Sequence, residues 1–297
     1  MDIIAIAKKF FPGVSWRNPL LNSLFRCLDP LDYLFRCYSN LKHIPRYSIR
    51  VRSNGVRGQF GGNTFNRYGQ FLVATLAKYT GLNARTKVLE IGCGCGRAAI
   101  PLAEILQDNH YTGIDIEQSS LESLQNNARI RQKQFNIYLM DVQNDEYNPA
   151  GAVSAANYKF PFDDNSFDVI FLISVFTHMM PKDIGNYIKQ ISRTTRPGGH
   201  CLMSTFVIDH GRQSKNLSFD YEKDGYYFTN PTMPEIAMAY PQAFFIDAFK
   251  NCGMELTREV ILGTWRESAR LKPSVNFPQD MLIFRKPSMP GTANSNS

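Results

Sequence analysis

The stretch Val88-Leu89-Glu90-Ile91-Gly92-Cys93-Gly94-Cys95-Gly96-Arg97 decides the fold. Val88, Leu89 and Ile91 form a short apolar run ending at glycine, as a parallel strand covered on both faces should. Gly92 permits a tight turn, while Gly94 and Gly96 let a ligand lie against bare backbone at a helix N-terminus. A dinucleotide-binding turn would read Gly-x-Gly-x-x-Gly, with two residues before the third glycine to hold a pyrophosphate. The pattern here is Glu-x-Gly-x-Gly-x-Gly. A carboxylate at the strand end repels a pyrophosphate and suits a ligand carrying cationic groups.

Outward from this turn, strand and helix alternate to the C-terminus. Strands are expected near 87–91, 110–115, 135–140, 167–173, 199–207, 254–261 and 280–286, with helices near 96–107, 118–133, 181–195 and 241–251. Such alternation with right-handed crossovers gives a doubly wound, Rossmann-like α/β sheet. Asp115 ends the second strand, where a carboxylate accepts from both ribose hydroxyls, and Ile116 follows it. Asp141 ends the third strand, placed to accept from an adenine amino group, with Val142 beside it. The ligand these residues describe has an adenosine and a cation, but no phosphate.

Glu90 to Gly96, Asp115 and Asp141 resemble the first three motifs of the class I S-adenosylmethionine-dependent methyltransferases. Phe160-Pro161-Phe162-Asp163-Asp164-Asn165-Ser166-Phe167-Asp168-Val169-Ile170 resembles that family's run into the fourth strand, and Arg196-Pro197-Gly198-Gly199 its turn before the fifth. The resemblance covers 64–207 tightly and 241–286 through topology. It implies seven strands with the last antiparallel, S-adenosyl-L-methionine as cofactor, and no metal. It also implies that Glu90, Gly92, Cys93, Gly94 and Gly96 hold the methionyl part, Asp115 with Ile116 the ribose, Asp141 with Val142 the adenine, and that Ser174 lies beside the methyl donor. Asp168 is read as structural.

The sulfonium is already activated, so positioning supplies much of the rate, but a neutral hydroxyl acceptor must also lose its proton. Ser174-Val175-Phe176-Thr177-His178 lies at the carboxyl end of the sheet, and His178 is the candidate base because its intrinsic pKa suits the task. The alternative is that His178 only holds its loop. Gln279-Asp280 is a second candidate, or a strand-edge cap. Asn/Asp-Pro-Pro-Tyr, which amino-group methyltransferases of bases carry after the fourth strand, is missing, and so is the Pro-Cys of cytosine C5 enzymes.

The overall charge of +7 is confined to residues 1–57, which hold ten Lys/Arg against three Asp/Glu, while the rest balances. A neutral body points away from a nucleic-acid groove. The expected reaction is therefore O-methylation of a glycan, lipid-linked or secondary-metabolite acceptor. N-methylation of a small amine, a protein acceptor and a catalytically silent cofactor-binding protein are the alternatives. No nucleic-acid partner and no obligate protein partner are expected.

Three regions are expected: an arm over 1–63, a catalytic domain over 64–286 with a lid at 208–240, and a disordered tail over 287–297. Ser48–Phe60 alternates and contains Asn54-Gly55, a hairpin signal. The arm's apolar residues (Ile3, Ile4, Ile6, Phe10, Phe11, Trp16) beside Lys8, Lys9 and Arg17 fit a peripheral contact with an anionic membrane; packing on the domain as a lid over the cofactor is the other reading. The lid aromatics Phe219, Tyr221, Tyr226, Tyr227, Phe228 and Tyr240, with Trp265, could stack on an acceptor ring or form the core of a small cap. No stretch of 18 apolar residues occurs, Met1–Trp16 has the wrong order for a secretory leader, and the six cysteines lack paired spacings. A reduced, cytoplasmic protein, with membrane association as an added expectation, is the resulting location.

Overall fold

The computed structural model describes residues 19–55, 58–145, 147–213, 217–266 and 277–288. Ile3 to Arg17, the first part of the stretch 1–57 on which the membrane expectation rests, and most of the expected tail lie outside them; Leu20, Leu21, Leu24, Phe25 and Leu28, which extend that stretch, lie on or beside the first described helix.

In chain order, helices α1 (Pro19–Cys27), α2 (Asp29–Tyr38), α3 (Tyr47–Asn54) and α4 (Asn63–Thr80) precede strand β1 (Val88–Ile91). Then come α5 (Ala99–Leu102), β2 (Tyr111–Asp115), α6 (Gln118–Gln125), α7 (Ala128–Gln132) and β3 (Asn136–Leu139). A small parallel pair, β4 (Val142–Gln143) and β5 (Val153–Ser154), leads to β6 (Phe167–Leu172), α8 (Pro181–Thr194) and β7 (Thr195–Thr205). The lid carries β8 (Tyr221–Lys223), β9 (Tyr226–Phe228) and β10 (Met238–Ala239), and α9 (Gln242–Asn251), β11 (Glu255–Leu256) and β12 (Asp280–Arg285) close the fold.

The main sheet has seven strands in the order β11-β12-β7-β6-β1-β2-β3. β12 runs antiparallel to β7, and the strands from β7 to β3 are mutually parallel. β1 is buried throughout. Val88 faces one core with Tyr111 and Val169, while Leu89 and Ile91 face the other with Ile114 and Leu172. Strand order reverses at β1, which leaves a crevice at the carboxyl ends of β1, β2 and β6, where ligands bind in open α/β sheets.

Several expected elements differ. The hairpin over 48–60 is instead helix α3, with Gly55 at φ +74° ending it. The alternation misled because Arg50 does not face solvent: it is fully buried and bonded to Asp32 of α2. The single helix over 118–133 breaks at Asn126-Asn127, where Asn127 caps α7 by accepting from the Arg129 amide. The strand expected over 254–261 is reduced to two residues and a bridge from Ile261 to Met281.

The lid is a three-stranded antiparallel sheet in the order β10-β9-β8. Tyr226, Phe228 and Tyr240 join the core on one face of the main sheet, while Phe219 and Tyr227 form a smaller cluster with Trp265. Phe219 packs edge-on against Trp265, and Tyr240 stacks on Phe244. These rings are buried and therefore not surfaces for an acceptor, which corrects the stacking expectation for Phe219, Tyr240 and Trp265.

Candidate active site

The crevice holds a cavity of about 480 Å³. Glu90, Gly92, Cys93, Gly94, Asp115, Ile116, Val142, Ser174 and His178 all line it. The glycine turn forms its floor, with Gly92, Gly94 and Gly96 all at positive φ. Gly96 is not itself part of the wall. A Cβ there would lie 2.3 Å from a methyl of Leu124, so glycine is needed for helix packing.

Asp115 is tied in place by main-chain donors: Gly94 N–H to Oδ2 at 2.7 Å and Glu117 N–H to Oδ1 at 2.9 Å. Each oxygen keeps a second lone pair for a hydroxyl. Burial pushes this carboxyl above its ordinary range. Glu90 accepts from the Tyr111 hydroxyl, and burial raises it from 4.5 to about 8 despite that bond and the nearby Arg97 guanidinium. A buried acid facing the cavity with its charge suppressed is poised for a cationic ligand. Cys93 and Cys95 are buried, with Cys95 pushed up to about 11, so neither is an activated nucleophile.

Asp141 does not meet its expectation. It is exposed, accepts from the Ala152 amide at 3.0 Å, and is absent from the cavity wall, which Met140, Val142 and Gln143 form instead. The chain leaves β3 at Leu139, and the carboxylate turns to fasten the 150–153 segment. The second base candidate also fails. Asp280 is fully buried, ion-paired to Arg266, and accepts from Trp265 Nε1, the Val207 amide and the Gly263 amide. Gln279 does reach the cavity, where its Oε1 accepts from Ser174 and Ser204. Ser174 sits at φ +61°, a strained value for a side-chain-bearing residue that aims the loop toward His178.

His178 lies on a single 3₁₀ turn, Phe176–His178. Its Nδ1 is 2.9 Å from the main-chain oxygen of Glu235 on the lid. A carbonyl only accepts, so Nδ1 carries a proton. Tyr147 meets the ring edge-on at 5.3 Å.

The reading of the arm as a lid over the cofactor named none of the residues by which it joins the cavity wall. Arg52, Ser53, Asn54 and Gly55 line the cavity. Arg52 Nε donates to Glu117 at 2.8 Å, and Ser53 shares a 2.6 Å hydrogen bond with Ser120. Burial pushes the Glu117 carboxyl up, but hydrogen bonds from Ser120 and Ser119 and the Arg52 charge outweigh it and hold it low. Arg97, next to the glycine turn, was also missed although its position was a usable signal. Among the described residues no group of His, Cys, Asp and Glu could hold a metal ion.

A methyltransferase-domain family profile matches residues 89–203, which spans β1 to β7 and therefore the whole cofactor crevice. The chain carries a class I S-adenosylmethionine-dependent methyltransferase domain. Curated relatives of this domain include a tRNA N(3)-cytidine methyltransferase METTL2 from Gallus gallus, 27% identical over 186 residues, covering 56% of this chain and 45% of that one. The 27-O-demethylrifamycin SV methyltransferase of Amycolatopsis mediterranei is 31% identical over 140 residues, covering 46% and 44%. The chain thus spans less than half the length of these relatives. Among solved structures, the [4+2]-cyclase SpnF is 16% identical with a TM-score of 0.50, covering 90% of this chain and 97% of that one. At that identity the likeness concerns the fold alone. The expectation that nucleic acid plays no part does not stand, because tRNA methyltransferases are among the relatives. Charge balance in the body was a poor guide to that question.

Proposed function

We propose that the protein transfers the methyl group of S-adenosylmethionine to an acceptor hydroxyl, with His178 as the proton acceptor. The carrying observation is the His178 ring, held on the cavity wall by the Glu235 carbonyl through Nδ1. The residues present suit the cofactor: a bare glycine floor, the Asp115 carboxylate, and a buried Glu90 whose ionisation a cation would favour. When bound, the cofactor supplies a methyl group already activated as a sulfonium. Glu90 would hold a cationic group of the cofactor and Asp115 its ribose hydroxyls, with helix α3 forming part of the wall. His178 would take the acceptor's hydroxyl proton as the new oxygen–carbon bond replaces the carbon–sulfur bond and S-adenosylhomocysteine leaves, and the Glu235 carbonyl would stabilise the resulting imidazolium. A glycan, lipid-linked or secondary-metabolite alcohol fits this chemistry.

A second reading, an RNA acceptor, is favoured by the relatives named as tRNA methyltransferases and by the basic arm adjoining the cavity through α3. Incubating cell extracts with methyl-labelled cofactor and fractionating them into small molecules, RNA and protein decides between the two. Label in a small hydroxylated molecule supports the first, and label in RNA alone overturns it. His178→Ala should lower turnover by about 10²–10⁴ while leaving S-adenosylhomocysteine affinity intact. Equal loss of cofactor binding would make His178 a loop-holding residue.

A further inference from the structure

His178 is gripped from two segments that do not adjoin it in sequence. Glu235, on the lid, offers its main-chain oxygen to His178 Nδ1 at 2.9 Å. Asn144, from the loop after β4, donates from Nδ2 to the His178 carbonyl and to the Glu235 carboxylate, each at 3.3 Å. Asn144 also accepts from the Tyr147 amide at 2.9 Å, which places the Tyr147 ring against the imidazole. One residue later, the Met179 carbonyl accepts from the Tyr240 hydroxyl of the lid at 2.6 Å. Asn144, Tyr147 and Glu235 line the cavity together with His178.

An imidazole in water takes either neutral tautomer, and only the one protonated at Nδ1 leaves Nε2 able to accept a proton. With the other tautomer, the Nδ1 lone pair would face the Glu235 oxygen and repel it. The lid therefore selects the tautomer, and Asn144 ties the lid to the turn carrying the ring. We infer that Asn144 and Glu235 are positioning residues that arm His178, so that closing the lid and preparing the base are one event. This rests on the reading of His178 as the base, but the tautomer can be measured without any acceptor.

The protein contains five histidines, few enough for each ring to be resolved by long-range ¹H–¹⁵N NMR on imidazole-labelled full-length protein with S-adenosylhomocysteine. His178→Ala identifies the signal. The expected spectrum shows His178 protonated at Nδ1 at neutral pH. Asn144→Asp keeps an oxygen for the Tyr147 amide but sets an acceptor against the Glu235 carboxylate and the His178 carbonyl. It should mix the two tautomers, leave S-adenosylhomocysteine affinity near wild type, and lower kcat by about 10–100-fold. Glu235→Gln, which keeps the main-chain carbonyl and an acceptor for Asn144, should preserve the wild-type tautomer. A wild-type ring protonated at Nε2, or an Asn144→Asp protein with wild-type tautomer and kcat, would overturn the inference. An Nδ1-protonated ring in a protein whose His178→Ala variant remains fully active would uphold the clasp and remove the base role instead.

Discussion

Binding of the cofactor should expel a proton from Glu90. In the empty crevice burial raises this carboxyl from 4.5 to about 8, so near neutral pH it is mostly uncharged. A cationic ligand beside it favours the ionised form, and the proton must leave on binding. Affinity for S-adenosylhomocysteine should then rise about tenfold per pH unit below pH 8 and level off above it. From pH 6 to pH 8, where the group is half ionised, that amounts to about 50-fold, or roughly 2.3 kcal/mol. The same shift acts on folding with a definite sign. Between 4.5 and about 8 the folded protein holds a proton that the unfolded chain has released, so the empty protein loses stability across that window. At about 1.4 kcal/mol per unit the loss is on the order of 4–5 kcal/mol. Calorimetry at pH 6.5 in buffers of different ionisation enthalpy counts the proton directly, and nearly one should be released. Glu90→Gln keeps an acceptor for Tyr111 but cannot titrate. It should release none, flatten the pH dependence of both affinity and melting temperature, and bind more weakly than wild type at pH 8. Asp115 is also raised by burial, so proton release that survives in Glu90→Gln would shift the assignment to it. Wild-type binding without proton release between pH 6 and 7.5 would refute the reasoning.

Two further outcomes follow from the same geometry. Arg52→Ala removes the 2.8 Å bond to Glu117 and loosens helix α3 over the crevice; S-adenosylhomocysteine affinity should fall by about 1–2 kcal/mol, read as a faster dissociation rate, and an unchanged rate would show that the arm does not close the site. Asp280→Asn leaves Arg266 buried without its counter-charge and should cost about 3–5 kcal/mol of unfolding free energy in urea. If the variant is instead stable yet inactive, Asp280 acts in the reaction and not in holding β12 to Val207 and the 263–266 segment.

The centre of the fold and the cofactor crevice were legible because the residues that make them are local in sequence. Glu90 to Gly96 turn and bind within one segment, and Asp115 is fixed by Gly94 and by its own neighbour Glu117. What the sequence hid depends on partners far along the chain. The alternation Ile49-Arg50-Val51-Arg52 reads as a half-exposed strand only if both arginines face water. Arg50 instead shares buried Asp32 with Arg36, while Arg52 reaches across to Glu117, 65 residues away. Those pairings make a helix of the segment and carry it over the cofactor crevice. They also change the meaning of the arm's charge. Arg36, Arg50 and Arg52 spend theirs inside the protein, so an excess of +7 counted along the sequence overstates what the arm offers an anionic surface. Asp141 lies off the cavity wall for a complementary reason: its Oδ1 accepts from the Ala152 amide of its own loop, a contact that a carboxylate after a strand does not announce. Asp115 takes a main-chain donor on each oxygen and still faces the cavity. The direction in which the loop holds a carboxylate, and not the number of donors it accepts from, therefore decides whether it remains open to a ligand.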